Sequence, residues 1–147
     1  IPKGLQKYCG FKKIENKYFI KIEREEKIIE SIKDFCTKNN IKCGYFFGIG
    51  ALNEVELAHY TVENKKYTSK VFKHPLEITN LTGNIATMDN EVYLHCHTTL
   101  SDEEMRAIAG HLVEGIIAAT CEIVLVKLDM GINRKYEDLI GLNLWDL

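Results

Sequence analysis

Two hydrophobic periods follow one another near the start of the chain. Lys17 to Ile22 alternates apolar and charged residues over its second half, the period of a strand with one wet face. From Glu25 to Asn39 the period lengthens. Ile28, Ile29, Ile32, Phe35 and Cys36 recur at helical spacing, while Lys27, Glu30, Lys33, Asp34 and Lys38 occupy the other side, and Asn39-Asn40 suits a left-handed stop. The pattern predicts an amphipathic helix laid on a sheet. Ile41 to Leu52 is then apolar almost throughout and interrupted by Gly44, Gly48 and Gly50, as in a buried central strand that needs close backbone approach or a bulge. A strand–helix–strand succession predicts parallel pairing of 17–22 with 41–52 through a right-handed crossover.

Farther along, Glu54 to Thr61 and Lys65 to Phe72 flank Glu63-Asn64 and predict an antiparallel hairpin. Leu76 to Thr87 predicts an extended segment broken at Gly83-Asn84, and Asp89-Asn90 predicts a tight turn into a strand over Glu91 to Leu100. Ser101-Asp102-Glu103-Glu104 has the spacing of a capping box and predicts a short helical turn that ends at Gly110. His111 to Thr120 fits helix or strand. Cys121 to Leu128 is a buried strand, Asn133 to Asp138 a loop, and Leu139 to Leu144 a short closing strand or docking tail. The sum is an α+β fold: one compact domain over 1–147, with a mixed, mainly antiparallel sheet covered by one amphipathic helix.

Composition narrows the class. At 147 residues, 46% hydrophobic and 27% charged, the chain matches an ordinary globular domain. It contains no run of eighteen apolar residues and opens with no signal peptide, so a cytoplasmic protein without a membrane span is expected; Ile1 in place of Met suggests a trimmed start. Cys9, Cys36, Cys43, Cys96 and Cys121 are scattered and odd in number, which reads as buried free thiols. The net charge of −2 conceals an asymmetry: residues 1–27 carry eight Lys/Arg against four Glu, and the rest eleven against seventeen acids. Lys3, Lys7, Lys12, Lys13, Lys17 and Lys21 are spread between other residues, as on a solvated face, whereas phosphate binding needs a concentrated basic surface. Gly48-Ile49-Gly50 lacks the third glycine and the following helix of a dinucleotide loop.

The candidate chemistry lies in the histidines. In a strand, His95 and His97 project to one side, roughly 6–7 Å apart, and Cys96 to the other. His111, after Gly110 where the backbone can turn, can return a third nitrogen to the same point. Three neutral imidazoles with an open position describe a site for zinc or another divalent transition metal. A half-buried strand with hydrogen-bonded histidines is the plainer alternative. Glu114 and Glu122 are candidates to orient a ligating imidazole, and Asp102 or Glu103 to reach bound water. Each of these carboxylates also has an ordinary explanation in loop solvation or subunit contact. His59 and His74 stand singly and read as surface or structural residues.

An ordered set of motifs carries a family resemblance. It comprises Gly48-Ile49-Gly50-Ala51-Leu52, then Tyr60 with the lysine-rich hairpin to Tyr67, then Leu76 to Ile85, then Leu94-His95-Cys96-His97-Thr98-Thr99-Leu100-Ser101-Asp102, then Gly110-His111-Leu112-Val113-Glu114-Gly115 and Ala119 to Val124. From about Lys17 onward the chain resembles the plants and prokaryotes conserved (PPC) domain. The resemblance implies a compact α+β domain that assembles as a homotrimer. In some prokaryotic members the histidines of the His-x-His and Gly-His-Leu motifs bind a metal such as zinc, which corresponds here to His95, His97 and His111. Plant members carry AT-hook motifs before the domain, and stand-alone prokaryotic members are commonly catalogued as DNA-binding. This chain lacks an Arg-Gly-Arg-Pro hook, and Lys73-His74-Pro75-Leu76-Glu77-Ile78 replaces the plant Gly-Arg-Phe-Glu-Ile-Leu stretch. The lost arginine and the acidic balance of 28–147 count against DNA binding.

Three functions follow as expectations. The first is a trimeric metal-binding module that takes a small ligand or a protein partner at the three-histidine site. The second is a metal-dependent hydrolase or lyase using the same site, with no catalytic residue identifiable. The third is a DNA-binding or DNA-associated regulator.

Overall fold

Two long strands form the spine. The computed structural model describes residues 9–147, with side chains from Gly10 onward, so Lys3, Lys7 and the Cys9 thiol lie outside the described residues. The elements run β1 (Cys9–Ile14), β2 (Lys17–Ile22), α1 (Ile28–Lys38), β3 (Gly44–Thr61), β4 (Lys66–Phe72), β5 (Leu76–Met88), β6 (Glu91–Ser101), β7 (Ala107–Lys127), β8 (Asn133–Glu137) and β9 (Leu142–Asp146). β3 and β7 pair antiparallel from Gly44↔Lys127 to Ala58↔His111. Their backbones come so close that a Cβ on Gly50 would overlap the Thr120 carbonyl oxygen, and a register shift follows between Gly50 and Leu52. The close approach and the bulge expected of the glycines are both present.

Around this pair the sheet closes on itself. β5 pairs with β3, β6 with β5, and β7 with both β6 and β3, all antiparallel. β2 pairs with the other half of β7, and the β3–β4 hairpin adds a flap. α1 buries Ile28, Ile32, Phe35 and Cys36 against one face, joining a core that includes Phe46, Leu52, Leu81, Ile85, Leu100, Ile117, Ile123 and Leu125. Cys36, Cys43, Cys96 and Cys121 are buried, as expected. Among the described residues, no helix is long and apolar enough to cross a membrane.

The helix starts and stops for local reasons. Lys27 supplies no side-chain cap. Glu114 of β7 does so instead: its Oε1 accepts from Ile29 N at 2.8 Å and its Oε2 from Glu30 N at 3.1 Å, placing a carboxylate at the positive end of the helix. At the other end Asn40 adopts φ 52°, and Ile41 N bonds back to Cys36 O at 2.8 Å, the left-handed stop expected there.

Several expectations are corrected. β2 and β3 are parallel but not adjacent, because β7 lies between them and pairs antiparallel with each. The two strands expected at 41–52 and 54–61 are one strand, since bulges let β3 bend without breaking its ladder. β5 likewise runs unbroken through Gly83-Asn84. The segment after Ser101 is a hairpin turn and not a helical one: Asp102 Oδ1 accepts from Glu104 N at 2.9 Å and Arg106 N at 3.0 Å, and Oδ2 from Arg106 Nε at 2.8 Å. Gly110 ends nothing; it sits within β7 opposite Thr98. His111 to Thr120, which fitted helix or strand, is strand, and 133–138, expected to be loop, contains β8, which pairs with β9.

Replacing Glu114 with Ala removes the carboxylate from the helix start, where two backbone donors and the Gly115 N–H bond to it. A loss of about 2 kcal/mol is expected. Urea unfolding checks it, and a change below about 0.5 kcal/mol contradicts this role.

Candidate metal centre

Strand alternation and the β6–β7 hairpin build this site. His95 and His97 lie on one face of β6, while Cys96 between them is buried in the core. The turn at Asp102–Arg106 returns the chain so that His111 stands directly opposite His97 in the β6–β7 ladder. The ring centroids are 4.9 Å apart for His95–His97, 5.6 Å for His95–His111 and 5.5 Å for His97–His111. One nitrogen from each ring lies within 4.8 Å of the other two.

The donor set suits a metal ion. Nε2 of His95 and Nε2 of His97 are 3.1 Å apart. Two tetrahedral zinc ligands at bond lengths of about 2.0–2.1 Å have nitrogens about 3.3 Å apart, so little rearrangement is needed. Burial and charge favour the neutral form of His95 and His111, the form that ligates. His95 is pushed down to about 4 by burial, then by His97, Arg134 and His111; His111 is lowered by burial and by His97.

A cleft of about 570 Å³ opens beside the imidazoles, with Tyr60, Tyr67, Asn80, Thr82 and Leu142 in its walls. Tyr67 faces Tyr60 across the β3–β4 hairpin, their rings 4.8 Å apart, and its ring lies 5.5 Å from His111. Arg134 of β8 donates to Asn84 Oδ1 at 2.8 Å and to the Asn143 carbonyl at 2.8 Å, with its guanidinium 4.9 Å from the Tyr93 ring centre. Sequence reasoning missed Arg134, which falls in an expected loop. It attached no chemistry to Tyr67, which the register places opposite Tyr60.

The carboxylates sit elsewhere. Glu114 caps α1, Asp102 holds the β6–β7 turn together, and Glu103 is exposed on that turn. Glu122 is exposed and pairs in register with Lys21 and Ile49. His59 lies along the cleft wall and His74 is exposed, with Nδ1 3.3 Å from the Pro75 carbonyl.

The depressed histidines set a pH dependence for the metal-free protein. Below pH 6.5 the unfolded chain takes up protons that folded His95 refuses until about 4 and that folded His111 also resists. Stability is therefore complete above that range and is lost as pH falls through it. Urea midpoints between about pH 7.5 and about pH 5 should decline for the parent and less steeply for His95→Asn; equal slopes contradict the assignment.

Comparison with known proteins agrees with this architecture. No curated protein matches. A solved structure of a protein provisionally named as DNA-binding from Bacteroides thetaiotaomicron is 38% identical, covering 94% of this chain and 96% of that one, with a TM-score of 0.92. A plant- and prokaryote-conserved (PPC) protein from Pyrococcus horikoshii is 28% identical over 97% of both chains, with a TM-score of 0.83. A metal-containing protein from Archaeoglobus fulgidus is 24% identical, covers 97% of this chain and 100% of its own, and shares the fold with a TM-score of 0.86. The family model of the Plants and Prokaryotes Conserved (PCC) domain matches residues 10–129, and the chain belongs to that family.

Proposed function

We propose that the chain is a metal-binding module in which His95, His97 and His111 hold zinc, or another divalent transition metal, and leave one coordination position open to a small ligand in the cleft. The observation that carries this reading is the convergence of three ring nitrogens within 4.8 Å. When bound, the ion supplies a Lewis-acid position for an anionic or carbonyl group. The protein's own contribution is to favour the deprotonated form of His95 and His111 and to shape the space beside the three imidazoles. The hydrolase or lyase alternative asks for a general base as well; among the described residues no Asp or Glu lines the cleft, which leaves His59 and the two tyrosines for that role.

Self-association as a homotrimer belongs to the same reading. Phe19, Val124 and Phe47 align in register across β2, β7 and β3 on the face away from α1, and Phe19 and Phe47 are each 51% exposed, with Ile49 58% exposed nearby. A row of this kind is costly to leave in water and suits a subunit contact. DNA binding, which the Bacteroides relative's name suggests, finds less support. The chain's net charge is −2, and the described lysines Lys12, Lys13, Lys17 and Lys21 do not form a block.

Metal content by mass spectrometry tests the centre. Protein purified without chelator should carry about one ion per chain, and His97→Ala should carry close to none while its far-ultraviolet circular dichroism is unchanged. Metal retained by the variant, or none in the parent after zinc addition, refutes the site. For assembly, Phe19→Glu is expected to shift the trimer to monomer in light scattering without loss of metal. A parent that runs as a monomer refutes the assembly.

A further inference from the structure

The cleft beside the three imidazoles divides into two chemically different ends. At the histidine end, a divalent ion held by three neutral nitrogens keeps both of its charges. Among the described residues, no acidic side chain in the lining offsets them. Arg134, behind the lining, adds a further positive charge: it donates to Asn84, the register partner of His95, and stacks on Tyr93. A half-buried concentration of positive charge without a protein counter-ion favours an anionic occupant.

Away from that end the walls become aromatic and apolar. The rings of His111, Tyr67 and Tyr60 follow one another at 5.5 Å and 4.8 Å, and Ala58 and Leu142 extend the surface. Tyr60 is held by a 2.6 Å hydrogen bond from its hydroxyl to the Ile140 carbonyl. Tyr67 is 50% exposed, so part of its ring remains open to an occupant of the cleft. The volume of about 570 Å³ lies within the usual range for small-molecule sites, roughly 300–1,000 Å³. A compact tetrahedral anion would use the charged end and leave this aromatic surface wet. A flat molecule with an anionic head would use both ends.

We infer that the cleft binds a small planar organic carboxylate, its head at the histidine-held metal and its conjugated body against Tyr67. This rests on the metal reading above. Calorimetric titration of benzoate, cyclohexanecarboxylate and inorganic phosphate into zinc-loaded and metal-free protein tests it, with zinc measured on the same samples. Benzoate should bind the zinc-loaded parent roughly fivefold more tightly than the non-planar carboxylate and should not bind the metal-free protein. Tyr67→Ala should erase the preference for the planar ligand, and Tyr67→Phe should keep it. Equal affinities for the two carboxylates, tighter binding of phosphate than of benzoate, or a preference that survives Tyr67→Ala overturns the inference while leaving the metal centre standing. Protein that takes up no zinc overturns both.

Discussion

The backbone ladder between β3 and β7 is the constraint on which the other elements depend. It joins Gly44 to Lys127 at one end and Ala58 to His111 at the other, and every neighbouring element attaches to one of these two strands. An unpaired buried peptide group is costly, so strands this long hold their pairing by bulging and bending rather than by breaking. The bends let β7 serve β2 along one half and β6 along the other. The helix is fastened to the same strand, through the backbone bonds Glu25 N to Ile117 O and Ile117 N to Glu26 O and through the Glu114 carboxylate.

The histidine cluster is a consequence of that arrangement. Because β6 pairs with β5 on one edge and with the start of β7 on the other, His97 stands between Thr82 and His111. Its register is set by the sheet and not by any contact among the imidazoles. The inward neighbours secure the strand from below: Cys96 is in the core, and Gly83 opposite it leaves room for the Phe46 ring, where a Cβ would overlap. Rings held this way can converge without a metal to gather them. Partial burial and mutual repulsion then favour the unprotonated form of His95 and His111. The site is thus both shaped and electrostatically prepared by the strands that carry it.

The errors of the sequence reading share one physical origin. Ser101 to Glu104 has the local pattern of a helix start, but Asp102 satisfies the same backbone donors in a turn, and the β6–β7 pairing rewards that choice. A strand–helix–strand order is usually adjacent in space; here β7 inserts between β2 and β3 from about a hundred residues downstream. Glu114 was a candidate to orient an imidazole, with subunit contact as its ordinary alternative. Its actual partners, Ile29 and Glu30, are about eighty-five residues away in the chain. Arg134 was invisible because its polar segment becomes a strand only by pairing with β9.

What the sequence determined by itself was whatever short-range periodicity encodes. This includes the amphipathic helix, the Asn40 stop, the turn at Asp89-Asn90, the β3–β4 hairpin, the buried cysteines, and the projection of His95 and His97 to one side with Cys96 to the other. Alternation and helical spacing act over a few residues, so they survive without knowledge of the partners. Tertiary structure alone decided which strands are neighbours, that His111 faces His97, that Glu114 serves the helix, and that Tyr67 and Arg134 flank the imidazoles. Those facts depend on β-pairings between distant segments, whose register is chosen by the burial of the whole sheet face rather than by any local pattern.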